Sequence, residues 1–178
     1  MTYATMENKE NCIMKKILRV IALVLAMAAL TGCTLLPSKD STKTYTCRDL
    51  TMEVSSKMKD VSSQEDFSGF TFALDSNAVA IFGLNETFAE YPALEEYTTK
   101  DYAELVIQLY SVNGTANQRA GKDYHYIVYT ADTELGEFTY MAGIFKNSKG
   151  FWMIQVCAPT EKYDQEEFFS CLDTVKLS

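Results

Sequence analysis

Residues 124–157 read YHYIVYT-ADTELGE-FTYMAGIF-KNSKG-FWMIQVC, and this stretch decides the fold. Three runs rich in aromatic and aliphatic residues, Tyr124 to Thr130, Phe138 to Phe145 and Phe151 to Cys157, are separated by Asp132 to Gly136 and Asn147 to Gly150. Apolar runs of this length bounded by Asp, Asn, Ser and Gly read as strands. Connections this short join antiparallel neighbours. Phe151-Trp152-Met153-Ile154 leaves no polar position on either side of its strand. A strand apolar on both sides must be covered on both faces, so the meander predicts the middle layer of a sandwich.

The flanking sequence supplies the covers. Thr98-x-x-Asp101 resembles a capping box, with Tyr97 placed to staple onto Tyr102. Tyr102, Leu105, Val106, Leu109 and Tyr110 recur at helical spacing, and Asn113-Gly114 stops the helix. A second helix is expected from about Asp164 to Leu172, capped through Asp164-x-x-Glu167, with Phe168, Cys171, Leu172 and Val175 as its inner stripe. Phe70 to Leu74 and Ala78 to Leu84, joined by Asp75-Ser76-Asn77, form a hairpin signal. Tyr45 to Cys47 and Leu50 to Val54 suggest an opening hairpin around Arg48-Asp49, and Thr174 to Leu177 a closing edge strand. The expected class is α+β: a three-layer α/β/α sandwich with a central, mainly antiparallel sheet.

This order of elements resembles the PsbP-like superfamily. The resemblance is carried by Gly69-Phe70-Thr71-Phe72, by Tyr97 to Tyr110, by Gly150-Phe151-Trp152, and by Glu166-Glu167-Phe168 through Val175-Lys176-Leu177. It covers roughly Phe70 to Ser178. The group includes an extrinsic subunit of the oxygen-evolving complex, an import factor that binds the GTPase Ran, and many bacterial lipoproteins. The resemblance implies a domain that acts by binding; fold alone does not transmit an activity.

The N-terminal region carries a different message. Lys15, Lys16 and Arg19 precede an unbroken apolar run from Val20 to Ala29, and Leu30-Thr31-Gly32-Cys33 fits the lipobox pattern. The run is shorter than the roughly 20 apolar residues that span a bilayer, and basic, apolar and small-residue regions in this order are the secretory pattern. The expected organisation is a cleaved lipoprotein signal over 1–32, with Met14 as the start of translation. A lipidated Cys33 and a polar tether follow over 33–44, then a single globular domain over 45–178. Leu30, Thr31 and Gly32 would be read by the processing machinery. The location that follows is the cell membrane, lipid-anchored on its extracytoplasmic side. Two or more acyl chains on Cys33 would hold the protein stably, where one would not.

Without the leader, 12 basic and 22 acidic residues remain, for a net charge of about −10. A surface of this sign repels nucleic acid and, taken as a whole, anionic headgroups. Cys47, Cys157 and Cys171 are left in the domain. Cys157–Cys171 is the pair nearest in sequence for a bridge, while three buried free thiols, behaving as small hydrophobes, are the favoured arrangement.

Catalytic patterns are sparse. His125, the single histidine, sits between Tyr124 and Tyr126 in a strand. The sequence has no G-x-S-x-G elbow, H-E-x-x-H, P-loop, C-x-x-C or calcium loop. Glu95-Glu96 and Glu166-Glu167 are adjacent pairs that diverge on a helix and so make no acid–base dyad. No catalytic residue, metal ligand or cofactor is assigned. Aromatic residues give the binding hint: Phe88, Tyr91 and Tyr97 beside the first helix, and Trp152 at the start of the last meander strand, could anchor a partner or plug the seam between sheet and helix. The reading is a non-enzymatic protein-binding or envelope-complex assembly lipoprotein. The alternative is a small-ligand or metal-binding lipoprotein receptor, and a hydrolase using His125 stands behind both.

Overall fold

The computed structural model describes residues 41–76 and 78–178. The signal, Met14, Leu30, Thr31, Gly32, Cys33 and the tether up to residue 40 lie outside the described residues. In chain order the elements are β1 (Thr42–Cys47), β2 (Leu50–Ser55), β3 (Lys59–Asp60), β4 (Phe72–Asp75), β5 (Ala80–Thr87), α1 (Thr99–Tyr110), β6 (Asn117–Gln118), β7 (His125–Thr133), β8 (Gly136–Lys146), β9 (Gly150–Pro159), α2 (Gln165–Leu172) and β10 (Lys176–Leu177).

The meander forms the heart of a seven-stranded antiparallel sheet, ordered β3-β4-β5-β9-β8-β7-β6. Because side chains alternate along a strand, β9 divides cleanly between two cores. Phe151, Met153 and Cys157 face one cluster with Tyr102, Ala103 and Val106 of α1. Trp152, Ile154, Val156 and Ala158 face the other, with Phe168, Phe169 and Leu172 of α2. The sheet is thus covered on both faces, as its composition requires.

The second cover is not purely helical. β1, β2 and β10 make a separate three-stranded antiparallel sheet, and Leu50, Met52 and Val54 of β2 pack into the α2 cluster. Thr42–Thr44, expected at the end of the tether, are the first half of β1, paired with Glu53–Ser55. Main-chain pairing rather than side-chain burial holds them, so the polar composition gave no strand signal. On α2 the buried stripe is Phe168, Phe169 and Leu172, and Phe169 takes the inward place expected for Cys171, which is only half-buried.

Local chemistry fixes the helix ends. The Thr98 hydroxyl accepts from the Asp101 N–H, and the Asp101 carboxylate accepts from the Thr98 N–H at 2.8 Å, completing the capping box. The helix ends at Tyr110 on Ser111 in left-handed conformation (φ 51°), ahead of Asn113-Gly114. Asp164 caps α2 by accepting from the N–H groups of Glu166 and Glu167. Gly150 is required by close approach: a Cβ there would run into the carbonyl oxygen of Glu86 on the neighbouring strand.

Candidate functional site

The loop between β5 and α1 is a turn pinned at both ends. Phe88 N–H donates to the Lys149 carbonyl at 2.9 Å, and Tyr91 N–H donates to that of Thr87 at 2.9 Å. Lys146, at the end of β8, donates from Nζ to the carbonyls of Glu95 (2.8 Å) and Tyr97 (2.7 Å). The same ammonium stands 5.4 Å from the ring centres of both Phe88 and Phe151, within cation–π range. Phe88 meets Phe151 edge-on at 5.8 Å, and Tyr102 stacks on the same ring at 4.4 Å.

The four aromatic residues singled out in the sequence do not share one surface. Phe88, Tyr91 and Tyr97 are half-buried and pack against the α1-side core. Trp152 is 0 % exposed and lies on the opposite face of the sheet. Its indole N–H donates to Asp49 at 3.0 Å, and Asp49 also accepts from Asn147 at 2.8 Å. Trp152 therefore joins the β1–β2 turn to the main sheet and is withdrawn from any partner. Leu135, 37 % exposed, is the one large apolar side chain at the surface among the described residues. Contact through this loop would use aromatic edges and the surrounding charged groups rather than an apolar patch.

Beneath the loop lies a pair that sequence reasoning missed. Glu86 falls on the strand parity of Phe82 and Leu84, facing the α1-side core, and accepts from the Tyr102 hydroxyl at 2.7 Å. Burial pushes the Glu86 carboxyl above its ordinary value, with the charge of Glu90 adding to it and the Tyr102 hydrogen bond opposing it. The signal available in the sequence was a carboxylate at a core-facing strand position. A carboxyl raised in the folded state contributes stability that is fully present below the ordinary carboxylate range and is lost as pH rises through the folded value. Glu86→Gln keeps an acceptor for Tyr102 and removes the charge. Its melting temperature should exceed that of the unaltered protein near pH 8 and converge with it near pH 4, as thermal melts across that range will show. A gap independent of pH would remove burial of the charge as the cause.

His125 Nδ1 and the Thr99 hydroxyl are hydrogen-bonded at 2.9 Å, tying β7 to the start of α1. Among the described residues the thiols of Cys47, Cys157 and Cys171 are free. Cys157 belongs to the α1-side core and Cys171 packs against the α2-side core, so the sheet separates the two that are nearest in sequence. Burial pushes both thiols up to about 12, which disfavours the reactive thiolate. Glu95 and Glu96 are exposed beside α1, and Glu166 reaches Arg119 at 3.8 Å, so neither glutamate pair forms a dyad. Among the described residues no group of three or more His, Cys, Asp or Glu is placed to hold a metal ion.

A second feature without a sequence signal is a depression of about 650 Å³ at the start of the domain, lined by Lys43, Ser56, Lys57, Met58, Lys59, Asp60, Asp75 and Ser76. Lys43 Nζ donates to the Met58 carbonyl at 2.6 Å. Asp60 accepts from both the N–H and the hydroxyl of Ser62 at 2.9 and 2.5 Å. These bonds lower its carboxyl below the ordinary range against the opposing effect of burial.

No protein-family model and no curated protein matches the sequence. Solved structures do. The solution structure of cyanobacterial PsbP (CyanoP) from Synechocystis sp. PCC 6803 superposes with a TM-score of 0.54 over 84% of this chain and 99% of that one, at 11% identity. The fold is PsbP-like. A crystal structure from Bacteroides thetaiotaomicron VPI-5482 superposes with a TM-score of 0.52 at 12% identity, over 79% of this chain and 49% of that one. At these identities the likeness concerns the fold alone. The likeness agrees with the α+β sandwich expected from the sequence, whose meander lies within the seven-stranded sheet.

Proposed function

We propose that this protein is a lipid-anchored extracytoplasmic lipoprotein whose PsbP-like domain acts without catalysis, by binding a protein partner or helping an envelope complex assemble. The observation that carries the reading is the lipobox Leu30-Thr31-Gly32-Cys33, placed behind a basic and apolar leader and followed within a few residues by a PsbP-like domain. The arrangement of reactive groups supports it. His125 is engaged with Thr99, and the thiols of Cys157 and Cys171 have pKa values raised by burial. The receptor alternative calls for a pocket between sheet and helix. At α1 the Tyr102 ring stacks on Phe151 across that seam, and the depression lined by Lys43 and Asp60 lies elsewhere, so protein binding is the stronger reading.

In-cell crosslinking of the full-length lipidated protein, followed by mass spectrometry, tests this. One dominant partner is expected, and its recovery should fall sharply in a Tyr91→Ala variant that keeps the parent melting temperature. Recovery of no specific protein would overturn the reading in favour of a small ligand.

A further inference from the structure

We propose that the lysine-lined depression at the start of the domain faces the membrane and rests on anionic lipid headgroups, fixing the orientation of the domain on the bilayer. The inference rests on the lipid anchor proposed above. It starts from position. The first described residue, Ser41, is bound to the end of β2: its carbonyl accepts from Ser56 N–H at 2.8 Å, and the two hydroxyls lie 2.8 Å apart. Ser56 also lines the depression, together with Lys43, Lys57 and Lys59. The point where the chain enters the domain is therefore the rim of this site.

Reach comes next. Eight residue steps separate Cys33 from Ser41, a span of at most about 28 Å even when fully extended. A domain held this closely, through a chain entering at this rim, brings the rim to the headgroup layer more readily than any other part of its surface.

Charge then selects the orientation. The chain beyond the leader is acidic, at about −10 from 12 basic and 22 acidic residues, so most of its surface is repelled by an anionic leaflet. The rim reverses that balance, with three lysines against Asp60 and Asp75. Asp60 is also occupied by the hydrogen bonds from Ser62. Attraction of basic side chains to anionic headgroups acts within about a Debye length, roughly 8–10 Å, which the short tether allows. The sandwich would then stand with this end down, holding the surfaces farther from the tether toward the envelope space.

The test uses full-length lipidated protein in vesicles of phosphatidylcholine alone or mixed with phosphatidylglycerol. Lysines are labelled with a membrane-impermeant amine reagent and read by mass spectrometry. Labelling of Lys57 and Lys59 should fall by about five-fold in the anionic vesicles and recover in high salt, while Lys100 and Lys122 should not change. Equal labelling of all four in both vesicles would overturn the proposal. Protection by millimolar glycerol phosphate in neutral vesicles would overturn it too, in favour of a soluble-anion site. Lys57→Glu with Lys59→Glu alters only exposed side chains, so the variant should fold. Lys43 labelling should then become independent of lipid charge, and continued dependence would contradict the assigned rim. Intact mass separates the two readings. A Cys33 without acyl chains removes the anchor and the proposal together, whereas an acylated Cys33 with unprotected lysines overturns the orientation alone.

Discussion

Changing Trp152 to alanine is expected to lower the stability of the folded domain by about 3–5 kcal/mol, the usual cost of emptying a buried aromatic site. Small domains have about 5–15 kcal/mol in total, so the variant should melt far below its parent or fail to accumulate. Trp152 is completely enclosed, with its ring 6.1 Å from that of Phe72 and its N–H on Asp49. The change creates a cavity and also takes one donor from a mostly buried carboxylate. Trp152→Phe separates these effects: it keeps most of the ring volume and loses the hydrogen bond, which should cost about 1–3 kcal/mol. Its loss should also have a pH signature. Burial pushes the Asp49 carboxyl upward, but the hydrogen bonds from Asn147 and Trp152 outweigh it and leave the group below its ordinary value. Such a carboxylate contributes stability above its unfolded pKa that is lost as pH falls through the folded one. The phenylalanine variant should therefore lose less stability than its parent between about pH 5 and pH 2. Chemical denaturation across that range checks both effects. A Trp152→Ala protein that melts with its parent but no longer captures a partner would place Trp152 at an interface after all.

That residue shows where sequence reading succeeds and where it stops. The apolar character of Phe151 to Ile154, resumed at Val156 and Cys157 after Gln155, made the strand and its two covered faces legible. The same uniformity hid which face Trp152 joins, because alternation carries information only when apolar and polar positions differ. The helix starts were legible because capping chemistry is local: Thr98 with Asp101, and Asp164 with the N–H groups of Glu166 and Glu167. The small sheet was less so, since β10 pairs with β2 through Lys176–Thr51 and Leu177–Leu50, an association between the two ends of the domain. β3 and β6 have two residues each, exposed on β3 and on β6, and carry no apolar signal at all. The lysine rim was invisible for a related reason. Lys43 stands apart in sequence from Lys57 and Lys59, and it is the β1–β2 hairpin that brings Thr42 opposite Ser55 and closes the gap. Whole-chain acidity pointed away from any basic site, because net charge is a sum and says nothing about where the few lysines gather.

The anchor itself gives the other large effect. Changing Cys33 to alanine should move the protein from the membrane fraction to the soluble fraction once the leader is cleaved, while the domain melts as before. Each buried methylene of an acyl chain contributes about 0.8 kcal/mol to membrane affinity, so two chains hold a protein where one gives only marginal binding. Removing the thiol that carries them should shift the partition by orders of magnitude. The apolar run Val20 to Ala29 is the complication: if the leader stayed attached, its ten residues could still hold the precursor at the bilayer surface, although they are too few to span it. The fractions must therefore be read together with the N-terminal sequence of the product. Retention of a cleaved Cys33→Ala protein would contradict lipid anchoring, whatever else held it there. Release with an unchanged melting temperature would support it and make the domain available for binding studies free of lipid. The melting temperature is expected to hold because the described fold begins at Ser41 and β1 at Thr42, so position 33 lies outside every strand and helix described here. The lysine rim should then add little on its own. With the acyl chains gone, three lysines offset by Asp60 and Asp75, on a chain of about −10 overall, should not keep the protein on an anionic membrane at physiological salt.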